Sequence, residues 1–294
     1  MNAMPPDLAK RLAESLAAIG RVIDPPGTRA LYAPLHGPTP GADVQVARDI
    51  QYGPHPRNRL DIFTTGQPGA VAKPVFIYVH GGGFVRGDKQ DPGTPFFGNI
   101  GAWAARHGLI GVNMTYRLAP EAVWPAGAED VGAAVRWVRA HIAKFGGDPA
   151  RITLMGHSAG ATHVATYVAQ LALHGADGHG LAGLIISSGI YDVGAYPQNP
   201  NQDSYFGADR SLHAERAPLS GLPRSAVPLL LIHAELDPPA FGQQVETLRE
   251  ALTRAGRPPR IVRLAGHNHL SGIYSIGTAD TAMSGAILDF IGGT

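Results

Sequence analysis

Short apolar segments alternate with longer amphipathic segments along most of this 294-residue chain. The short segments are rich in β-branched and aliphatic residues, and most of them from the third onward are nearly continuous apolar runs, as expected for strands buried on both faces. The predicted strands cover residues 44–50, 59–63, 75–80, 109–115, 151–155, 181–187, 227–233 and 260–264. The predicted helices cover residues 98–107, 126–145, 159–173, 242–255 and 278–291. This order predicts an α/β fold with a mostly parallel eight-stranded sheet flanked by helices. The first two of the eight strands are close together in the sequence and are expected to form an antiparallel lead-in.

Two segments are expected to lie outside this sheet. Residues 1–24 carry apolar residues at steps of three and four, which is typical of an amphipathic helix, and a connector rich in proline and glycine follows over 25–41. Residues 191–228 are rich in Pro, Asn, Asp and Ser, and an irregular stretch of that length within a compact α/β domain is usually functional. We therefore expect a single domain over 1–294, to which residues 1–41 and about 191–226 contribute a small cap.

Composition excludes several classes of function. The chain has 24 Lys and Arg against 23 Asp and Glu, without a run of like charges, so neither a nucleic acid nor an anionic membrane is an expected partner. It has no cysteine, which excludes disulfides, a cysteine nucleophile and thiolate metal sites. The first residues lack the apolar core of a signal peptide, and no apolar stretch reaches the roughly 20 residues of a membrane span. We expect a cytoplasmic protein that acts on a small molecule, and the sequence leaves its oligomeric state open, a homodimer included.

One pentapeptide predicts a nucleophile. Gly156-His157-Ser158-Ala159-Gly160 lies between a predicted strand and a predicted helix. A sharp turn in that context holds the serine in a strained conformation, and glycines on both sides are needed to avoid clashes. The serine oxygen then lies at the helix N-terminus, where the helix dipole favours developing negative charge. We therefore expect Ser158 to be a nucleophile.

A second glycine-rich segment follows an earlier predicted strand. His80-Gly81-Gly82-Gly83-Phe84 allows the main chain to approach a ligand closely, with its N–H groups pointing inward. Together with the first N–H of the helix after the nucleophile, these donors predict an oxyanion hole. A phosphate-binding loop is the alternative, but the Lys-Ser/Thr pair that would hold phosphate and magnesium is missing.

A serine nucleophile needs a base, and the base needs an orienting acid, in the chain order Ser, Asp or Glu, His. Asp237 follows a predicted strand by four residues and is favoured over Glu235, which lies closer to the strand end. Two histidines, His267 and His269, follow the last predicted strand, and spacing alone does not separate them. A His-x-His pair can also bind a metal, but no further ligands cluster nearby, so we expect neither a metal nor a cofactor.

Four motifs together resemble a known family, the hormone-sensitive-lipase-like carboxylesterases of the α/β-hydrolase superfamily, with features of the kynurenine formamidase-like branch. They occur in the family's order over roughly residues 75–270. The motifs are His80-Gly81-Gly82-Gly83-Phe84, Tyr116-Arg117-Leu118-Ala119-Pro120-Glu121, Gly147-Asp148-Pro149 and Gly156-His157-Ser158-Ala159-Gly160.

The resemblance implies a role for individual residues. It implies oxyanion donors at the backbone of Gly82, Gly83 and Ala159, and it assigns the acid to the Asp of an Asp-Pro step, which is Asp237. It also implies that the catalytic histidine precedes an apolar residue, which favours His269 over the other candidate.

The expected chemistry is the hydrolysis of small to medium acyl esters through an acyl-enzyme. His269 takes the proton of Ser158 as the serine attacks the ester, and Asp237 holds the imidazole in the required tautomer. Phe84 and His157 are candidate residues of the substrate pocket. Amide or aryl formamide hydrolysis by the same triad is the alternative, and a non-catalytic ligand receptor on the same fold is a further one.

Several other polar residues are expected to have structural roles. His80 is predicted to brace the glycine loop, and Arg117, Glu121 and Asp130 to tie the loop after the fourth strand to its neighbours. His163 is predicted to be a packed histidine within the helix that follows the nucleophile.

Overall fold

The computed structural model describes residues 4–66, 69, 71–176 and 178–293. In this part of the chain one sheet has the strand order β1-β2-β4-β3-β5-β6-β7-β8. Its strands are β1 (Gln45–Gln51), β2 (Arg59–Thr64), β3 (Lys73–Val79), β4 (Ile110–Met114), β5 (Gly147–His157), β6 (Gly183–Ser187), β7 (Leu229–Leu236) and β8 (Arg260–Asn268). β2 pairs antiparallel with both β1 and β4, and every other pair is parallel. The prediction of a mostly parallel eight-stranded sheet with an antiparallel lead-in is confirmed.

Helices cover both faces of this sheet. They are α1 (Pro6–Ile19), α2 (Pro25–Tyr32), α3 (Gly98–Arg106), α4 (Ala126–His141), α5 (Ala159–Ala169), α6 (Pro200–Phe206), α7 (His213–Arg216), α8 (Pro239–Arg254), α9 (Ser271–Ser275) and α10 (Ala282–Gly292). The five helices predicted after the third strand are each present, and three of them (α3, α4 and α5) start at the predicted residue; the other ends differ by one to four residues. None of the helices described is both long enough and apolar enough to cross a membrane.

The N-terminal part differs from its prediction in one element. The amphipathic helix expected within residues 1–24 is α1, although residues 1–3 lie outside the described residues. The predicted connector over 25–41, however, begins with a helix, α2. The side chain of Asp24 caps this helix by accepting a hydrogen bond of 3.1 Å from the N–H of Gly27, and Pro25 occupies its first position. Proline is well tolerated there because the first helical N–H has no partner within the helix, so this proline marks a helix start rather than a connector.

The sheet separates two layers of apolar core, and successive residues of its central strands face opposite layers. Ile77 and Leu154 pack in the layer beneath α4, α5 and α8, whereas Phe76 and Met155 pack in the layer beneath α1, α3 and α10. All four side chains are fully buried. Burial on both faces explains why the central strands are continuous apolar runs.

Three histidines are buried near the carboxyl ends of the central strands. His80 follows β3, His157 ends β5 and His163 lies in α5, and their exposed fractions are 0%, 3% and 1%. Burial lowers the pKa of His80 to about 4, and it lowers the pKa of His157 and of His163 to about 3. All three are therefore neutral in the folded protein at neutral pH.

These histidines should make the fold sensitive to mild acid. Between the lowered pKa values and the ordinary value of about 6.5, the unfolded chain binds protons that the folded chain does not, so stability falls as the pH falls. We expect the free energy of unfolding, measured by urea denaturation, to decrease by at least about 4 kcal/mol from pH 7.0 to 5.5. Each of the three histidines contributes about 1.3 kcal/mol as its unfolded form, with the ordinary pKa of about 6.5, takes up a proton over this range. His36, His179 and His233, whose pKa values burial also lowers, change the stability in the same direction. His163→Leu should reduce this slope by one proton. A free energy of unfolding that stays constant over this range would contradict the account.

Candidate active site

Ser158 lies in a sharp turn between β5 and α5. Its backbone has φ of 55° and ψ of −122°, in the left-handed half of conformational space that residues with a side chain rarely adopt. The glycines on either side make the turn sterically feasible. A Cβ atom on Gly156 would lie 2.3 Å from the carbonyl oxygen of Gly160, and one on Gly160 would lie 2.2 Å from the carbonyl oxygen of Val79. The turn thus brings the end of β5 against the end of the neighbouring strand β3, with Ser158 at the N-terminus of α5.

The glycine loop after β3 lies directly against this turn. A Cβ atom on Gly81 would lie 3.0 Å from the Cβ of Ser158. Gly82 and Gly83 have φ of 133° and 61°, and a Cβ on Gly82 would lie 1.9 Å from the carbonyl oxygen of Arg86. The loop therefore depends on glycine at these positions and passes within van der Waals distance of Ser158.

His80 is hydrogen-bonded to the backbone of this loop. Its Nδ1 donates a hydrogen bond of 2.6 Å to the carbonyl oxygen of Gly81, and its ring stacks on Tyr116 with centroids 4.4 Å apart. The hydroxyl of Tyr116 donates to the carbonyl oxygen of His80 over 2.9 Å. His80 thus supports the conformation of the loop.

Asp237 and His269 form a buried hydrogen-bonded pair. His269 Nδ1 donates to Asp237 Oδ1 over 2.7 Å, and the two residues are 3% and 2% exposed. Asp237 Oδ2 also accepts hydrogen bonds from Ser188 Oγ at 2.7 Å and from the N–H of Ala234 at 2.9 Å. Burial raises the pKa of Asp237, but the hydrogen bonds from His269 and Ser188 outweigh it, so the pKa lies below its usual value. The carboxylate therefore stays charged at neutral pH and fixes the orientation of the imidazole.

The other nitrogen of His269, Nε2, is buried and has no hydrogen-bond partner among the residues described. The imidazole packs between Phe241 and His157, with ring centroids 4.5 Å and 4.9 Å away. His157 also donates a hydrogen bond from Nε2 to the carbonyl oxygen of His269 over 2.8 Å. The residue before the serine therefore holds the backbone of His269, and both His269 and Ser158 line the same cavity.

The competing candidates have other partners. His267 Nδ1 is hydrogen-bonded to Ser271 Oγ at 3.0 Å, and its Nε2 lies 3.5 Å from Asp280 Oδ2. Glu235 accepts hydrogen bonds of 2.8 Å from Arg263 and from the N–H of Gly266. The geometry therefore pairs Asp237 with His269 and leaves His267 and Glu235 outside that pair.

The cavity beside Ser158 has a volume of about 530 Å³. The predicted site residues Gly82, Gly83, Phe84, His157, Ser158, Ala159 and His269 all line it, whereas Asp237 lies behind His269. Further lining residues include some from the two segments expected to form a cap, although the sequence did not single them out: α2 contributes Arg29, and residues 190–202 contribute Ile190, Tyr196, Asn199, Asn201 and Gln202. Arg29 forms an ion pair of 2.6 Å with Asp91, which also lines the cavity.

Sequence reasoning missed Ser188, the second side chain that holds Asp237. It follows β6 directly and has φ of 48°, a value that non-glycine residues rarely adopt. The sequence offered only a weak signal for it, a serine immediately after a buried strand at the edge where the other site residues gather.

The structure also locates the polar residues predicted to be structural. Arg117 donates from Nε to both carboxylate oxygens of Asp130 at 3.0 and 3.1 Å, and Glu121 lies 3.4 Å from His55. His163 is packed between the rings of Phe84, Tyr116 and Tyr205, with centroids 5.4, 4.4 and 5.1 Å away. Over residues 4–66, 69, 71–176 and 178–293, no group of three or more His, Asp or Glu side chains is arranged to hold a metal ion.

Two family models match the sequence. One, described as the prolyl oligopeptidase family, matches residues 125–292, and another, described as BD-FAE, matches residues 60–180. Esterase LipQ of Mycobacterium tuberculosis is 32% identical over 229 residues, which cover 71% of this chain and 53% of that protein. Carboxylesterase NlhH of the same organism is 46% identical over 101 residues, which cover 34% of this chain and 30% of that protein. The chain thus spans about half, or less, of the length of these curated relatives.

Solved structures share the fold over nearly the full length. An esterase from the bacterial hormone-sensitive lipase family matches with a TM-score of 0.69 and 23% identity, over 99% of this chain and 98% of that chain. The resemblance to esterases of the α/β-hydrolase fold, predicted from the four motifs, is therefore confirmed, together with the eight-stranded sheet. The chain has the α/β-hydrolase fold and belongs to the prolyl oligopeptidase family as that model defines it.

Proposed function

We propose that this chain is a serine carboxylesterase that hydrolyses small to medium acyl esters through a Ser158-His269-Asp237 triad. The observation that carries the proposal is the buried hydrogen bond of 2.7 Å between His269 and Asp237, which leaves the other imidazole nitrogen without a partner in a residue that lines the same cavity as Ser158. Two curated relatives are named as an esterase and a carboxylesterase, and these names support the same chemistry.

The first step is acylation. His269 Nε2 accepts the proton of Ser158 as the serine oxygen attacks the ester carbonyl carbon, and the imidazolium that forms is stabilised by the charged carboxylate of Asp237. Because the Nδ1 proton is held by Asp237, the neutral imidazole presents its lone pair at Nε2, which is the tautomer that this step needs. The developing negative charge of the carbonyl oxygen is stabilised by the backbone N–H groups of Gly82, Gly83 and Ala159.

The second half returns the enzyme to its starting state. The imidazolium gives its proton to the departing alkoxide, which leaves as the alcohol, and the acyl group remains on Ser158. Water then loses a proton to His269 Nε2 and attacks the acyl carbon, the same N–H donors hold the oxyanion, and the carboxylic acid leaves as Ser158 regains its proton. No cofactor or metal takes part in the proposed sequence.

Esters are preferred over amides as the proposed substrates for a chemical reason. An alkoxide leaves more easily than an amine anion. An ester therefore needs less proton donation from the imidazolium of His269 than an amide does. Aryl formamides are the second candidate, since attack by the same serine on an amide carbonyl follows the same sequence of steps. The ratio of kcat/KM for a matched ester and anilide separates the two. A non-catalytic receptor would not need the buried Asp237–His269 pair beside a strained serine.

We further propose that α2 and the segment over residues 190–206 act as a small cap. Both contribute side chains to the cavity, Arg29 from α2 and Tyr196 and Asn201 from the segment, so the cavity is bounded by elements outside the sheet. The cap would exclude water from the reacting carbonyl and define which acyl and alcohol groups fit.

Replacement of the nucleophile should abolish turnover. Ser158→Ala removes the attacking oxygen but leaves the oxyanion donors, so we expect hydrolysis of p-nitrophenyl butyrate to fall by about 10⁵–10⁶-fold in kcat. Thermal denaturation followed by circular dichroism serves as the folding control, and the melting temperature should not decrease, because alanine keeps the Cβ atom and so meets the same backbone conformation as serine. Turnover retained at more than a hundredth of the wild-type rate would overturn the assignment of Ser158.

The two neighbouring histidines provide a matched pair of variants. His269→Gln removes the base, so kcat for p-nitrophenyl butyrate should fall by about 10³-fold or more. His267→Gln removes a side chain that contacts Asp280 rather than Asp237, so the loss should be at least tenfold smaller. Equal losses in the two variants, or a larger loss for His267→Gln, would contradict the proposed base.

A further inference from the structure

Helix α6 packs against Phe84, the residue that follows Gly83 of the glycine loop. Phe84 stacks on Tyr205 with centroids 4.9 Å apart and planes 5° apart, and it contacts Phe206 edge-on at 5.2 Å. Both tyrosine and phenylalanine are fully buried. The side of α6 that carries positions 205 and 206 is therefore held at a fixed distance from Gly83 and from the cavity.

Gln202 lies on the same side of α6. Positions 202, 205 and 206 are separated by three and four residues, so they share one helix face, and Gln202 is only 2% exposed. Its side chain lines the cavity of Ser158, and its Nε2 has no hydrogen-bond partner among the described residues. A buried amide nitrogen without a partner is unfavourable unless a ligand or water accepts its hydrogen bonds.

Asn201 presents a second amide beside the glycine loop. A Cβ atom on Gly83 would lie 2.8 Å from Asn201 Nδ2, and Asn201 also lines the cavity. Asn199 of the same segment is a further polar lining residue, but its amide is bonded to the N–H of Gln202 and to the carbonyl oxygen of Pro197. Ile190, Tyr196 and Phe241, which also line the cavity, are apolar or aromatic. Gln202 and Asn201 therefore add amide donors to a largely apolar set of side chains.

We propose that Gln202 and Asn201 form a hydrogen-bonding subsite for a neutral acceptor oxygen of the substrate, beyond the ester group that is cleaved. The preferred substrates are then esters that carry an ether, keto or hydroxyl oxygen in an otherwise apolar group, rather than esters of plain hydrocarbon chains. This inference rests on the proposed esterase function. A neutral acceptor is favoured over a carboxylate or a phosphate because amide donors do not compensate the desolvation of an anion. Of the two arginines that line the cavity, Arg29 is already paired with Asp91 and Arg86 is exposed.

Isosteric substrates test this subsite on either side of the ester. On the acid side, p-nitrophenyl 4-methoxybutanoate is compared with p-nitrophenyl hexanoate, and on the alcohol side, 2-methoxyethyl butanoate is compared with butyl butanoate. In each pair an ether oxygen replaces one methylene group. The quantity measured is the ratio of kcat/KM between the oxygen-bearing and the plain ester, for the wild type and for Gln202→Met, a substitution that keeps the length of the side chain.

We expect Gln202→Met to lower this ratio by about tenfold in one of the two pairs, since a single hydrogen bond corresponds to about one factor of ten. The pair that responds identifies whether the recognised oxygen belongs to the acid or to the alcohol. Comparing ratios between variants cancels the intrinsic reactivity of each ester. Asn201→Leu should lower the ratio in the same pair and serves as the test if Gln202→Met does not fold.

Gln198→Met is the matched control. Gln198 belongs to the same segment, is exposed and donates hydrogen bonds to Asp203 outside the cavity, so this variant should leave both ratios at the wild-type value. Ratios that do not change in Gln202→Met and Asn201→Leu, in an enzyme that hydrolyses the plain esters, would overturn the subsite and leave the proposed esterase function standing. A wild-type protein that hydrolyses none of the four esters would overturn both.

Discussion

The close approach of the turn after β5 to the end of β3 is the constraint on which the rest of the site depends. Gly160 can lie against the carbonyl oxygen of Val79 only because it lacks a side chain. That contact fixes the start of α5, and with it the strained backbone of Ser158, beside the glycine loop that follows β3. A larger residue at Gly160 would separate the proposed nucleophile from the proposed oxyanion donors, because both positions follow from the packing of two neighbouring parallel strands.

The remaining site residues follow from the same architecture. Parallel strands end at the same edge of a sheet, and β6, β7 and β8 deliver Ser188, Asp237 and His269 to that edge in turn. Ser188 and Asp237 are joined by one hydrogen bond, and Asp237 and His269 by another. Each residue is thus oriented by its neighbour from the next strand. The acid is buried and kept charged by its donors, which is the electrostatic requirement for stabilising an imidazolium.

The loop that carries His269 is also tied to the N-terminal part of the chain. Asn268 donates to Thr28 Oγ1 over 2.9 Å, and Tyr32 donates to Asp280 over 3.1 Å, so α2 holds the loop from outside the sheet. His267 belongs to this supporting network through Asp280. The two neighbouring histidines therefore have different surroundings: His269 lines the cavity, whereas His267 contacts Asp280.

The sequence predicted the features that depend on local pattern. The continuous apolar strands, the strand-turn-helix context of Ser158 and the glycine loop each have a short-range physical cause, so they could be read from neighbouring residues. The choice between His267 and His269 could not be made from spacing, because it depends on which carboxylate each ring meets across the fold. The proposed role of Gln202 is equally hidden, since its burial results from the packing of α6 on Phe84. The helix at Pro25 does not follow from local pattern, because a stretch rich in proline and glycine is more typical of a connector.

The central claim is that Ser158 is activated by His269 within this cavity, and covalent labelling tests it most directly. The protein is treated with a fluorophosphonate, which reacts with an activated serine, and the modified peptide is identified by mass spectrometry. We expect one phosphonyl group per chain, attached to Ser158, and a large decrease in the labelling rate in His269→Gln. An unlabelled protein, or a label on a serine other than Ser158, would contradict this account.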